Sequence, residues 1–254
     1  MLIDTHSHIY SEDFIDDIDE VITRAYDNDV RKIILPNIDS SSVRKMLDLA
    51  DQYPQICFPL MGLHPTSVGE DYQEELELVE FWLKKRKFYG IGEIGIDLYW
   101  ESTYLNEQVI TFRHQVQLAK KYKLPIVVHV RESFDQVYEV VQELKDDDLQ
   151  GVFHSFTGTL EQAQKVLDLD FKIGVGGIVT FKNSGLDKVM SQIDPKNLIL
   201  ETDAPYLTPV PYRGKRNESS YLIHVARKIA ELHDTSVNDI AKITSENALK
   251  LFGI

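Results

Sequence analysis

The stretch "MLIDTHSHIY", residues 1–10, begins as a short apolar run suited to a buried strand and then sets Asp4, His6 and His8 at alternate positions. An open, doubly wound sheet calls for a glycine-rich phosphate-binding turn after its first strand, and "DTHSHIY" contains no glycine. In a closed (β/α)8 barrel the C-terminal ends of the strands carry the working side chains. Alternate residues of an extended segment point to the same side, so Asp4, His6 and His8 are expected to face inward together. Two imidazoles two residues apart can grip one cation, with Asp4 behind them to steady a ligand. The stretch therefore favours the barrel, provided that seven further strands follow.

Seven further runs of the right kind do follow. Short apolar segments recur at Leu2–Thr5, Lys32–Leu35, Ile56–Met61, Tyr89–Glu93, Pro125–Val128, Gly151–Phe153, Lys172–Val175 and Leu198–Thr202, the form expected of buried parallel strands. Helix-period segments lie between them. Val43, Met46, Leu47 and Ala50 share one face; so do Val109, Phe112, Val116 and Ala119; Val137, Val140, Val141 and Leu144; and Leu222, Val225, Ala226 and Ile229. Strand and helix alternating eight times over 254 residues predict an α/β chain folded as a single (β/α)8 TIM-type barrel spanning residues 1–254, with the doubly wound sheet as the alternative.

Composition narrows the setting. The chain is 43% hydrophobic, enough for a large core, and no stretch approaches the ~18–20 apolar residues of a membrane helix. The N-terminus lacks the basic start and apolar centre of a signal peptide. One cysteine, Cys57, excludes an internal disulfide and fits a reducing compartment. The expectation is a soluble cytoplasmic protein with no membrane and no obligate protein partner. With 27 basic and 41 acidic residues the formal charge is −14, which opposes non-specific coating of nucleic acid but not an enzyme that meets phosphates through metal ions. The acids Glu74, Glu75, Glu77 and Glu80, and Asp146, Asp147 and Asp148, are read as solvated outer faces of helices.

Ligand-type residues gather on the working face. His6, His8, His64, His129 and His154 fall at or just beyond predicted strand ends, Glu93 closes the fourth strand and Asp203 follows the eighth, whereas His114, His224 and His233 lie in helices. Four histidines with Glu93 and Asp203 exceed the roughly three protein ligands of a catalytic zinc site. They suit two divalent ions (Mg, Mn or Zn) about 3.5–4 Å apart, with Glu93 as the bridge. The longest predicted loop, "DAPYLTPVPYRGKRNES" at 203–219, carries Arg213, Lys215 and Arg216 in an acidic chain, which points to an anionic substrate such as phosphate. His64 in "GLHPTS", Arg131 in "HVRES" and, more weakly, Lys182 in "TFKN" are further candidates for phosphate contact. Tyr99, Trp100 and Tyr206 lie on rim loops, where they are placed to stack a base; stacking contributes about 1–3 kcal/mol per base.

At this point the sequence resembles the TatD family of metal-dependent deoxyribonucleases. The resemblance spans nearly the whole chain and rests on seven motifs in order: "DTHSH" at 4–8, "GLHP" at 62–65, "GEIGID" at 92–97, "HVRE" at 129–132, "HSFTG" at 154–158, "ETDAPYL" at 201–207 and "RGKRNE" at 213–218. It implies a barrel of the metallo-dependent hydrolase superfamily that uses divalent metals and cleaves single-stranded DNA or RNA 3′→5′ as an exonuclease. Position by position, it implies one metal at His6, His8, Glu93 and Asp203 and another at Glu93, His129 and His154. His64 would contact the scissile phosphate or assist proton transfer, and Glu201 would support the site from behind. The chain departs from the family pattern at Ser219, where proline is common after "RGKRNE", in "GIDLYW" at 95–100, and at "HIY", 8–10, which lacks the acidic residue often found soon after the first motif.

The mechanism these readings predict is hydrolysis by a metal-activated water, with Asp203, Glu93 and His64 as the catalytic residues. A hydrolase of amides, lactones or phosphotriesters on the same scaffold is the competing expectation. Many such relatives bridge their metals through a modified lysine on the fourth strand, where this chain has Glu93. A non-catalytic metal-binding protein is the third reading, disfavoured by complete ligand sets at strand ends.

Overall fold

The computed structural model describes residues 1–100 and 102–254. All eight expected strands form: β1 Leu2–Asp4, β2 Val30–Leu35, β3 Cys57–Pro59, β4 Ile91–Asp97, β5 Ile126–Arg131, β6 Gly151–Phe153, β7 Lys172–Val175 and β8 Leu198–Leu200. The helices that follow them in turn are α1 Ile18–Asp27, α2 Ser40–Gln52, α3 Tyr72–Lys85, α4 Leu105–Tyr122, α5 Phe134–Leu144, α6 Leu160–Asp168, α7 Leu186–Met190 and α8 Leu222–Leu232, with α9 Val237–Phe252 at the C-terminus. Every ladder is parallel, in the order β1-β2-β3 and β4-β5-β6-β7-β8.

Hydrogen bonds just outside the regular strands join these two groups into a ring. Met61 bridges to Ile91, with Gly92 N–H donating to the Met61 carbonyl at 3.0 Å. At the other seam Ser7 bridges to Ala204, and Thr5 N–H donates to the Leu200 carbonyl at 3.1 Å. The chain is thus the TIM-type barrel that the eightfold alternation predicts.

Strand alternation divides the apolar residues into two layers. Ile3, Ile34, Phe58, Val127, Val152 and Ile199, drawn from six strands around the ring, form one cluster that only the barrel interior can unite. Ala248 and Phe252 of α9 join that cluster and plug the end away from the site; burying a phenylalanine of this kind stabilises by about 1.5–3 kcal/mol. The larger cluster lies between strands and helices and takes in Ile33, Phe112, Val116, Val140 and Val225. The helix faces read from periodicity pack there, with Val109 and Leu144 at its margin. Asp39 and Ser42 form a reciprocal cap that starts α2, and Thr159 with Gln162 does the same for α6.

Three expectations change. β4 continues four residues past Glu93, and β5 includes His129 and ends at Arg131, so Glu93 and His129 sit within strands. The β4–β5 register shifts between Ile91 and Ile94, and Glu93 N–H turns from the ladder to the Asn37 carbonyl at 3.2 Å. A local break of this kind is invisible in hydrophobic patterning. Asp146, Asp147 and Asp148 follow α5 as an exposed loop, with Asp146 paired to Lys120 at 2.6 Å, and are not helical. Among the described residues no helix is long and apolar enough to cross a membrane.

Candidate active site

The ring's C-terminal mouth converges on one carboxylate. Glu93 is 2% exposed, and its two oxygens face different ways. Oε2 lies 3.0 Å from His6 Nε2 and 3.6 Å from His8 Nε2. Oε1 lies 2.6 Å from His129 Nδ1, 3.0 Å from His154 Nε2 and 3.4 Å from His64 Nε2. Asp203 Oδ1 stands 3.8 Å from both His6 and His8 Nε2. Among the described residues three groups have ligand atoms close enough to hold a metal ion: His6, His8 and Asp203; His6, Glu93 and His154; and His64, Glu93 and His129.

The backbone sets this convergence. Asp203 takes a left-handed conformation, φ 56°, with its N–H donating to the His6 carbonyl at 2.9 Å, which ties the β8 loop to the β1 loop. Gly95, φ 152°, passes so close to the His129 backbone that a Cβ there would strike the His129 carbonyl. Asn217 fastens the 203–218 loop through Nδ2–H donated to the Thr202 and Tyr206 carbonyls at 2.7 and 2.6 Å.

Hydrogen-bond partners decide which imidazole atom faces inward. Tyr10 donates its single hydroxyl hydrogen to the Pro36 carbonyl at 2.5 Å. Its 2.9 Å contact with His8 is therefore accepted from Nδ1–H, leaving the lone pair on Nε2. Asp97 Oδ2, 2.9 Å from His129 Nε2, takes that N–H and leaves Nδ1 for the site. His64 is opposite in sense. Its Nδ1 accepts the Thr66 backbone N–H at 3.1 Å, so the neutral ring carries its hydrogen on Nε2, pointing inward.

The donor chemistry fits a divalent cation. His6 and His8 present their Nε2 atoms to each other at 3.2 Å, while buried His6 Nδ1 has no hydrogen-bond partner among the described residues. Two buried imidazole nitrogens converging with the buried Glu93 and the partly exposed Asp203 carboxylates are an arrangement that a shared cation satisfies.

Charge is distributed unevenly around this centre. Burial pushes His6 well below the ordinary imidazole value, and the neighbouring His154, stacked on it at 3.7 Å, adds to the effect. Burial also opposes the charged form of His154, but Glu93 and then Glu201 outweigh it and hold this ring well above the usual range. For His129, burial again opposes the charge, and the bonds to Asp97 and Glu93 overcome it and raise the value. Burial would lift the Glu93 carboxyl, yet the surrounding histidines, His154 foremost, hold it well below the ordinary carboxylate value. Burial pushes Asp203 up to about 6, against the pull of His154 and His8.

A cavity of about 640 Å³ opens over the cluster. His8, His64, Glu93, Asp97, His129, His154 and Asp203 line its base, with Trp100, Arg131, Phe181, Tyr206, Leu207 and Arg213 among its walls. His6 lies beneath, fully buried. Arg213 stacks on Phe181 with its guanidinium carbon 3.8 Å from the ring centroid.

Other expected residues stand elsewhere. Lys182 is exposed and does not line the cavity; its neighbour Phe181 does. Arg216 is turned away to Asp17 at 2.7 Å, and Lys215 lies over the Tyr212 ring. Of the three loop cations only Arg213 reaches the mouth; Arg216 ties the loop to Asp17, and Lys215 stays within the loop over Tyr212. Asp4 does not meet a histidine ring. Strand β1 ends at Asp4, and both carboxylate oxygens accept from Thr202, with Oδ1 also near His6 N–H at 3.4 Å. Burial raises its carboxyl to about 7. Glu201 does stand behind the site, with Oε1 3.2 Å from His154 Nδ1 though off the line of a hydrogen bond, and accepting from Ser155 N–H at 2.5 Å.

Tyr10 and Asp97 are the positions that sequence reading missed. The signal for Asp97 was the carboxylate four residues after Glu93 in "GEIGID", and for Tyr10 the hydroxyl two residues after His8.

A TIM-type barrel with this histidine and carboxylate cluster in its C-terminal mouth is the architecture of a metal-dependent hydrolase. The profile of the family described as "TatD related DNase" matches residues 3–253, and the chain belongs to that family. It is 37% identical to an uncharacterized metal-dependent hydrolase, YabD, from Bacillus subtilis (strain 168), over 100% of both chains. The crystal structure of YjjV, a TatD homolog from Escherichia coli k12, superposes with a TM-score of 0.94 at 30% identity, covering 100% of this chain and 98% of that one. A hydrolase TatD family protein from Entamoeba histolytica gives a TM-score of 0.88 at 25% identity, covering 99% and 97%.

Proposed function

We propose that this protein is a divalent-metal-dependent phosphodiesterase, a 3′→5′ exonuclease acting on single-stranded DNA or RNA through two bound cations. The observation that carries the reading is the division of Glu93: one oxygen faces His6 and His8, the other His129 and His154. A bridging carboxylate between two ligand sets is suited to a two-metal clamp. The family's description as a DNase supports the substrate class, and strand polarity rests on the family resemblance.

His6, His8, Glu93 and Asp203, and Glu93, His129 and His154, would hold the divalent ions, which when bound would supply Lewis acidity toward a phosphoryl oxygen and water. The remaining work falls to side chains. Asp203, beside His6 and His8 yet still 16% exposed, is placed to orient the attacking water and receive its proton. His64 directs Nε2–H into the cavity, where it can donate to a phosphate oxygen or to the departing group. Arg213 and Arg131 on the walls meet non-bridging oxygens, and Trp100 and Tyr206 offer ring faces to a base.

The test is Glu93→Gln, assayed for Mg²⁺- or Mn²⁺-dependent release of nucleotides from a single-stranded oligonucleotide. Loss of turnover is expected, and undiminished turnover refutes the bridging role. Screening the wild-type protein against nucleotides, lactones and cyclic amides separates the nuclease from other hydrolases of this architecture.

A further inference from the structure

Asp97 is fully buried, yet it touches both the deepest and the outermost parts of the site. Its Oδ2 accepts Nε2–H of His129 at 2.9 Å. Its Oδ1 accepts the backbone N–H groups of Tyr99 at 3.0 Å and Trp100 at 2.8 Å. The peptide of Asp97 is itself clamped: its N–H donates to Gln108 Oε1 at 2.9 Å, and Gln108 Nε2–H donates to its carbonyl at 3.2 Å. The carboxylate therefore has little freedom to serve one partner at the expense of the other.

Core packing does not position Trp100, which is 67% exposed. Its ring meets Tyr99 edge-to-face at 4.8 Å and 90°, and the Arg131 guanidinium lies 4.2 Å from the Tyr99 centroid and 5.4 Å from that of Trp100. Arg131 is two residues beyond His129 on β5. The aromatic wall is thus attached to β5 twice, through the Asp97–His129 bond beneath it and through Arg131 beside it.

We propose that Asp97 is a positioning residue that fixes, with one carboxylate, both the ligand atom offered by His129 and the stance of the Tyr99–Trp100 wall. Oδ2 forces the hydrogen of His129 onto Nε2, so that Nδ1 faces Glu93 as a donor atom. Oδ1 holds the wall at a set distance from that atom, which makes the base-stacking surface and the phosphate-binding centre a single rigid gauge. The role of His129 as a cation ligand rests on the function proposed above.

The substitution Asp97→Asn separates the two tasks. Its amide oxygen can still accept from the Tyr99 and Trp100 backbone N–H groups, but its NH₂ group then faces His129 and calls for a lone pair on Nε2. The hydrogen of the ring moves to Nδ1 and blocks the ligand position. Alanine removes both tasks.

The experiment uses a Trp82→Phe background, which leaves Trp100 as the single tryptophan, and reads Zn²⁺ binding by calorimetry and Trp100 fluorescence anisotropy without any nucleic acid. Asp97→Asn is expected to weaken one class of Zn²⁺ binding by about 10–100-fold, with anisotropy retained. Asp97→Ala is expected to weaken Zn²⁺ similarly and also to lower anisotropy. Wild-type Zn²⁺ affinity in Asp97→Asn overturns the ligand half, and wild-type anisotropy in Asp97→Ala overturns the wall half. Asp97→Asn is nearly isosteric and decides its half by itself; if the alanine chain does not fold, Asp97→Leu, similar in size to aspartate and without an acceptor, replaces it. Should the parent chain bind no Zn²⁺ at all, the cation reading fails, an outcome distinct from failure of the Asp97 assignment.

Discussion

Removing one oxygen atom tests whether the side chains behind the cluster set its cation affinity. In Tyr10→Phe the ring can keep its edge-to-face contact with His8, now at 5.7 Å and 76°, while the hydroxyl between His8 Nδ1–H and the Pro36 carbonyl disappears. Tyr10 is 8% exposed and His8 4%, so water does not readily replace the lost partner. An unsatisfied buried donor costs about 1–3 kcal/mol. For a chain of this size the melting temperature of the metal-free protein should fall by about 2–4 °C for each kcal/mol. A second, separate loss is expected in metal binding. With nothing to accept Nδ1–H, the His8 hydrogen is free to move to Nε2, the atom that faces Glu93 and Asp203. Loss of such an outer partner typically weakens binding 10–100-fold, or about 1.4–2.8 kcal/mol. Zn²⁺ titration calorimetry and paired melts with and without Zn²⁺ measure the two losses independently. A lower metal-free melting temperature with Zn²⁺ affinity within twofold of wild type would show that Tyr10 only packs, and the tautomer argument would fail.

His64→Ala should slow oligonucleotide cleavage by about 10²–10⁴-fold while leaving Zn²⁺ affinity intact, because the inward atom of His64 carries a hydrogen; a parallel drop in Zn²⁺ affinity would make His64 a ligand instead. Arg213→Ala should raise KM for an oligonucleotide tenfold or more, the effect of a hydrogen bond to a charged group worth about 1.5–3 kcal/mol, whereas Lys182→Ala should leave KM unchanged; equal effects in steady-state kinetics would count against the placement of these cations. The hydrogen bond from Arg216 holds the Asp17 carboxyl down at about 2; burial opposes it, and Arg24 adds to the pull. A depressed acid stabilises the fold above its ordinary value of 3.8 and loses that contribution as pH falls toward 2. Asp17 is 32% exposed, so after screening the contribution is about 1 kcal/mol. The melting temperature of Asp17→Asn should lie below wild type at pH 6 and converge with it near pH 2, and a gap that persists at pH 2 would refute the linkage.

The alternation of eight apolar runs with amphipathic segments was enough to predict the barrel, because strand and helix periods are local properties that the chain must satisfy wherever it folds. "DTHSH", "GEIGID", "HVRE", "HSFTG" and "ETDAPYL" likewise identified the side chains that the mouth brings together around Glu93. Residue type and position at a strand end are one-dimensional facts, whereas side-chain direction is not. Only the folded chain decided that Asp4 turns to Thr202, that Arg216 is spent on Asp17 and that Phe181 lines the cavity in place of Lys182. Only the folded chain revealed Tyr10 and Asp97 as the groups that assign hydrogens to His8 and His129. Each of these outcomes depends on a bond angle at a strand end or on a partner distant in sequence, and neither is encoded in hydrophobic period or motif spacing. The amino-acid order determined which atoms were available to the site, and tertiary contacts determined which way they point.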